Sequence, residues 1–167
     1  MKKYIFFIFL FPFISSILFA QSVLDQYGDR IELLGVPFKG PMELCQILIA
    51  IFIFIAFIQS GLDKIIDRNG NLEFLKVHFS NSLLIKIIPL MLSVLTILEL
   101  TGSFMLAYGV YYAFAMRSTI WIFYGFVVIG ITLIILFAGQ RIAKDYLGAA
   151  DLVPYFILIM LGIMSMY

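Results

Sequence analysis

Charge is what this chain has least of. Asp, Glu, Lys and Arg make up 13% of its 167 residues, against roughly 25% in a soluble domain, while 63% are hydrophobic. That balance implies an integral membrane protein with no room for a sizeable soluble domain once its spans are counted. A formal net charge of +1 offers no basic field to draw it to nucleic acid. Cysteine is limited to Cys45, which excludes an internal disulfide, a CxxC redox pair and a cysteine-based zinc site; one thiol in such surroundings reads as a small apolar packing residue. His78 is the only histidine, so haem or dinuclear metal ligation within one chain lacks its ligands, and His78 reads as an interfacial surface residue. Internal repeats, low-complexity tracts and flexible linkers are also missing.

What is present is a series of apolar segments. Met1-Lys2-Lys3 followed by Tyr4 to Ala20 has the positive start, apolar core and small terminal residues of a secretory signal peptide, residues 1–20, with an uncleaved signal anchor as the alternative. Residues 21–41 carry Asp25, Asp29, Arg30, Glu32 and Lys39, with Pro37, Gly40 and Pro41 as turn formers, and read as an exported polar segment. Within 42–167 the expected spans run roughly Pro41 to Gly61, Ile87 to Gly109, Ser118 to Ala138 and Leu152 to Tyr167. The predicted fold is therefore all-α, a polytopic four-helix transmembrane bundle preceded by a signal peptide or anchor. Between the first two spans, Leu72, Leu75 and Phe79 recur at helical spacing with Glu73, Lys76 and His78 off that stripe, which predicts a short amphipathic helix at the membrane surface.

Lysine and arginine set the orientation. Lys64, Arg68, Lys76, Lys86, Arg141 and Lys144 put six basic residues on one side, against Arg30, Lys39 and Arg117 on the other, so the first and third connections should be cytoplasmic. An exported segment after a signal peptide requires the same topology. Tyr111, Tyr112 and Trp121 flank Arg117 as headgroup-level aromatics do.

Two features carry candidate chemistry. Glu99 sits in an apolar stretch from Ile87 to Met116 whose other strongly polar atoms are hydroxyls. A carboxylate there costs roughly 2.5 to 3.5 kcal/mol on insertion scales, which makes it a functional-site candidate or a structural acid bonded between helices. Gly102, Leu106 and Gly109 are read as sharing its face and its neighbour. The second feature is a pair of polar clusters at span ends: Gln59-Ser60-Gly61-Leu62-Asp63-Lys64, and Gly139 to Ala149 with Gln140, Arg141, Lys144 and Asp145. Snorkelling basic residues explain part of it. A shared network is also expected, with Asp63 pairing Arg141 or Lys64 pairing Asp145.

From Phe57 to Ile163 the chain resembles the DoxX family of small bacterial four-helix membrane proteins, in the form found in Bacteroidetes. Ser60-Gly61-Leu62-Asp63-Lys64, Gly70-Asn71, Leu75-Lys76, Pro89-Leu90, Glu99 with Gly102, and above all GQRIAKDYLGAADLVPYFIL from Gly139 to Leu158 carry the resemblance. About 40 residues before the first core span depart from the family pattern. The resemblance implies an inner-membrane protein related to subunits of thiosulfate:quinone oxidoreductase and similar assemblies. No haem, iron–sulfur or flavin ligand set is evident, so quinone is the one cofactor left open. Three functions stand: an accessory or scaffold subunit binding a partner subunit or a second copy; a quinone-interacting subunit, with Glu99 accepting or relaying a proton near the quinone head group and Arg141 orienting an anionic or carbonyl group; and a small-solute or proton carrier, for which four short spans without a second intramembrane acid leave little pathway.

Overall fold

The structure, a computed structural model, describes residues 31–33, 36–80 and 83–166. The expected signal peptide or anchor lies outside them. Two compact units divide the chain, Met1–Leu44 and Cys45–Tyr167.

In the first unit, strands β1 (Ile31–Leu33) and β2 (Val36–Phe38) pair antiparallel, with Ile31 opposite Phe38 and Leu33 opposite Val36. The strand pair lies in the segment 21–41 that the sequence marks only as polar and turn-rich. Its signals were β-branched Ile31 and Val36 either side of a Leu34-Gly35 pair, with Pro37 tolerated because a two-stranded sheet has only edges. Helix α1 (Pro41–Ile66) starts with proline at its first position, where a missing N–H costs nothing. The Lys39 backbone N–H donates to Glu43 Oε2 at 2.6 Å, so the first-turn acid caps the chain leading in.

Four helices are long and apolar enough to cross a membrane: Pro41–Ile66, Ile85–Met116, Ile120–Ala143 and Tyr146–Met164. The protein is a multi-pass, all-α membrane bundle. Beyond α1, the helices are α2 (Arg68–His78), α3 (Ile88–Met116), α4 (Ile120–Ala143) and α5 (Tyr146–Met164), with a 3₁₀ turn at Leu83–Ile87 ahead of α3. Most of the helices outrun the sequence-derived spans, because hydropathy marks only the apolar part while the backbone continues until something stops it. Gly61 and Gly109 do not end helices. The stops are Asp67, whose carboxylate accepts from Gly70 N–H at 3.1 Å to open α2, and Arg117 and Lys144, which take left-handed φ of 56° and 63°. After Lys144, Asp145 caps α5 by accepting from Gly148 N–H at 2.9 Å.

Helices α3 and α4 run closest together, then α4 and α5. Glycine permits this. A Cβ on Gly109 would lie 2.6 Å from the Ile122 backbone nitrogen, and one on Gly125 would lie 3.1 Å from that of Leu106, so side chains at either place would force the backbones apart. Without a hydrophobic effect between helices in lipid, such close packing supplies much of the association. Helix α1 is held by side chains instead: Phe52 and Phe57 flank Tyr155 of α5, each with ring centroids 6.3 Å away, and Gln46 Nε2 donates to the Ser165 carbonyl at 2.8 Å. Cys45, expected to pack inside, is exposed.

Helix α2 is amphipathic as its pattern predicts, with Phe79 beyond its end buried, Leu72 and Leu75 half-buried, and Glu73 and Lys76 exposed. His78 differs from expectation. It is half-buried and faces α4 and the α4–α5 turn.

Candidate functional site

The α1 sequence Ser60-Gly61-Leu62-Asp63-Lys64 brings a small residue, a hydroxyl and a cation to one place. Ser60 and Lys64 are one turn apart and share a face, and Gly61 lets α1 approach α3: a Cβ there would meet Leu100 Cδ2 at 2.8 Å and Glu99 Cβ at 3.7 Å. Into that gap Lys64 sends its ammonium. Nζ donates to Glu99 Oε2 at 2.9 Å and Oε1 at 3.1 Å, to Ser60 Oγ at 2.6 Å, and more weakly to the Ser60 carbonyl at 3.3 Å. Glu99 is 1% exposed and the Lys64 side chain 17%. Glu99 lies deep along α3, about 17 Å from its Ile88 end and about 26 Å from Met116 by helical rise. The buried carboxylate anticipated from sequence is thus paired across helices, with both oxygens engaged by one donor.

The glycine seam belongs to a different neighbour. Gly102, Leu106 and Gly109 turn toward Ile129, Gly125 and Ile122 of α4, whereas Glu99 turns toward α1. Steps of three and ten residues place Gly102 and Gly109 about 60 to 80° of rotation from Glu99 at roughly 100° per residue, enough to face a second partner, while Leu106, only about 20° away, reaches Gly125 with its longer side chain. Thr96, Ser103 and Thr132 do not extend the polar site. Each hydroxyl donates to the carbonyl four residues back on its own helix, at 2.7, 2.7 and 2.8 Å. Among the described residues no buried side-chain nitrogen or oxygen lacks a partner.

The expected ion pairs do not form. Lys64 goes to Glu99 and not to Asp145; Asp63 is exposed and is not paired with Arg141. The reason is level along the bundle: α1 ends beside the middle of α3, while α4 carries Arg141 on to its far end, and α2 fills the remaining distance. Arg68 at the start of α2 accordingly reaches Ser93 Oγ at 2.8 Å, and His78 at its end reaches Gln140. Arg141 lies 4.6 Å over the Tyr146 ring, a cation–π contact at the α4–α5 turn. Lys144 is exposed.

A second cluster, unforeseen from sequence, joins His78, Gln140 and Asp145. His78 Nε2 is 3.0 Å from Gln140 Oε1 and 3.4 Å from Asp145 Oδ2. Phe74 stacks on the imidazole at 5.6 Å and Phe79 meets it edge-on at 5.2 Å. The only advance signal was an aromatic residue on either flank of a lone histidine. The adjoining cavity, about 70 Å³, is far below the roughly 300 Å³ of the smallest usual ligand pockets. No group of three or more His, Cys, Asp or Glu residues among the described residues could hold a metal ion. Chemically, both clusters tie helices together: one fastens α1 to α3, the other α2 to the α4–α5 turn. Compared with protein-family models, curated proteins and solved structures, the chain matches none.

Proposed function

We propose that this chain is a DoxX-like, non-catalytic accessory or scaffold subunit of a complex in the bacterial inner membrane, binding a protein partner or a second copy. The observation that carries the reading is the Lys64–Glu99 pair. Both Glu99 oxygens accept from the Lys64 ammonium, which Ser60 also holds, so the contact this geometry favours is a fastening of α1 to α3. The nearby Thr96 and Ser103 hydroxyls donate to carbonyls of their own helix rather than to the pair. The inner-membrane and family assignments both rest on the resemblance centred on Gly139 to Leu158, while the lysine and arginine asymmetry sets which connections face the cytoplasm.

The alternative, a quinone-interacting subunit using Glu99 and Arg141, makes an opposing prediction. Isolation of the assembly from native membranes, with partner subunits, pigments and quinone recorded, separates the two. For a scaffold, Glu99→Leu should lose partner subunits during purification while Glu99→Gln, which keeps an acceptor for Lys64, retains them and leaves any quinone-coupled turnover of the complex unchanged. Full assembly of Glu99→Gln with depressed turnover would establish the redox reading instead.

A further inference from the structure

The ends of α4 and α5 nearest their connecting turn leave a groove of about 250 Å³, lined by Leu133, Ile134, Phe137, Leu152, Val153 and Phe156. Ile134, Phe137 and Val153 are exposed, so the groove faces outward from helices that cross the membrane, where the surrounding medium is lipid. All six linings are hydrocarbon or aromatic. The α4 wall continues one turn beyond Phe137 to Arg141, on the same face at four-residue spacing. Arg141 and Lys144 are both exposed there. Stacking on Tyr146 holds the guanidinium plane while leaving its N–H edges available to an oxygen acceptor. Asp145, the nearest carboxylate in sequence, is engaged by Gly148 N–H and faces His78, so it does not neutralise the two cations by direct pairing. Asp151, exposed beside Leu152, opposes an anion at this end.

We propose that the groove binds an anionic phospholipid, with one acyl chain along the six apolar side chains and the headgroup phosphate held by Arg141 and Lys144. Basic residues at the mouth of an interhelical groove are suited to acidic headgroups, and the proposal needs only that the four helices span a membrane.

The test is native mass spectrometry of the full chain in neutral detergent, titrated with phosphatidylglycerol or with phosphatidylcholine bearing the same acyl chains. The parent should retain phosphatidylglycerol in preference, by roughly fivefold per participating cation. Arg141→Ala with Lys144→Ala should reduce that preference to the phosphatidylcholine level. Val153→Trp, which fills the groove and keeps the charges, should weaken both lipids, and Asp151→Asn should raise the preference for phosphatidylglycerol. Lys86→Ala, removing a cation outside the groove, should leave it unchanged. Equal retention of the two lipids by the parent would overturn the proposal, as would a Lys86→Ala loss matching the double variant, or unaltered binding by Val153→Trp. A lipid-free dimer made monomeric by Val153→Trp would assign the groove to a second copy of the chain. If the double variant fails to fold, the Val153→Trp and Asp151→Asn titrations decide.

Discussion

Glu99 and Lys64 differ in how much water each has given up, and that difference sets what their removal does. Glu99 is 1% exposed, so Lys64→Met strands a carboxylate; Lys64 keeps 17% exposure near the end of α1, so Glu99→Leu leaves an ammonium that can turn outward along its flexible stem. Breaking a buried pair from one side costs about 3 to 5 kcal/mol, whereas replacing both partners with apolar residues is often neutral or better. Lys64→Met should fall in that range, Glu99→Leu below it, and Lys64→Met with Glu99→Leu should return close to the parent. Unfolding of the four proteins in mixed micelles provides the cycle; additive losses would mean the two residues do not act as a pair. Glu99 was legible from sequence because an acid in an apolar run has so few acceptable environments. Its partner was not, since Lys64, Arg141 and Lys144 all sit at span ends and only the helix offsets decide which reaches it.

At the scale of elements, α3 and α4 are joined by absent side chains. Gly109→Ala places a methyl against the Ile122 backbone, which cannot rotate away, while Gly130→Ala meets Ile159 Cγ2 at 3.7 Å and Met160 Cε at 3.8 Å, both ordinary contacts. Overpacking of this kind typically costs about 1 to 3 kcal/mol, so Gly109→Ala should be destabilised within that range and Gly130→Ala should stay near the parent. Detergent-resistant thermal melts of both variants would check this, and equal melting points would remove the seam as a source of stability. Helix existence was readable from apolar runs of span length, and the α2 stripe from its spacing. Helix ends were not, because Arg117 and Lys144 adopt the left-handed conformation without the glycine that usually announces it. The hairpin at Ile31–Phe38 was lost to the same cause in reverse: three-residue strands are too short for a period to register.

For the whole molecule, the side of the membrane on which each connection lies is set by lysine and arginine placement and not by how the helices pack. With Cys45 replaced by Ser, single cysteines at Lys76 and at Tyr112 should be labelled from opposite faces of sealed vesicles, Lys76 from the cytoplasmic face. Labelling of both from one face would require a different threading of the spans. The four-helix plan followed from four apolar runs of helical span length, since lipid admits only helices and closed barrels and these runs are longer than a barrel strand. How far each helix extends past its neighbours did not follow, and it is what separated the anticipated charge network into two.

The chain order of the Lys64–Glu99 pair also fixes an order of events during synthesis. Lys64 precedes Glu99 by 35 residues, which at about 5 to 20 residues per second is roughly 2 to 7 s of elongation. Throughout that interval α1 has a cation and no carboxylate to match it, only the Ser60 hydroxyl and carbonyl one turn behind. The Lys64 side chain keeps 17% of its surface exposed, and α3 then brings an acid that is 1% exposed once in place. The nascent chain therefore presents its own counter-ion before the charge that depends on it enters the bilayer.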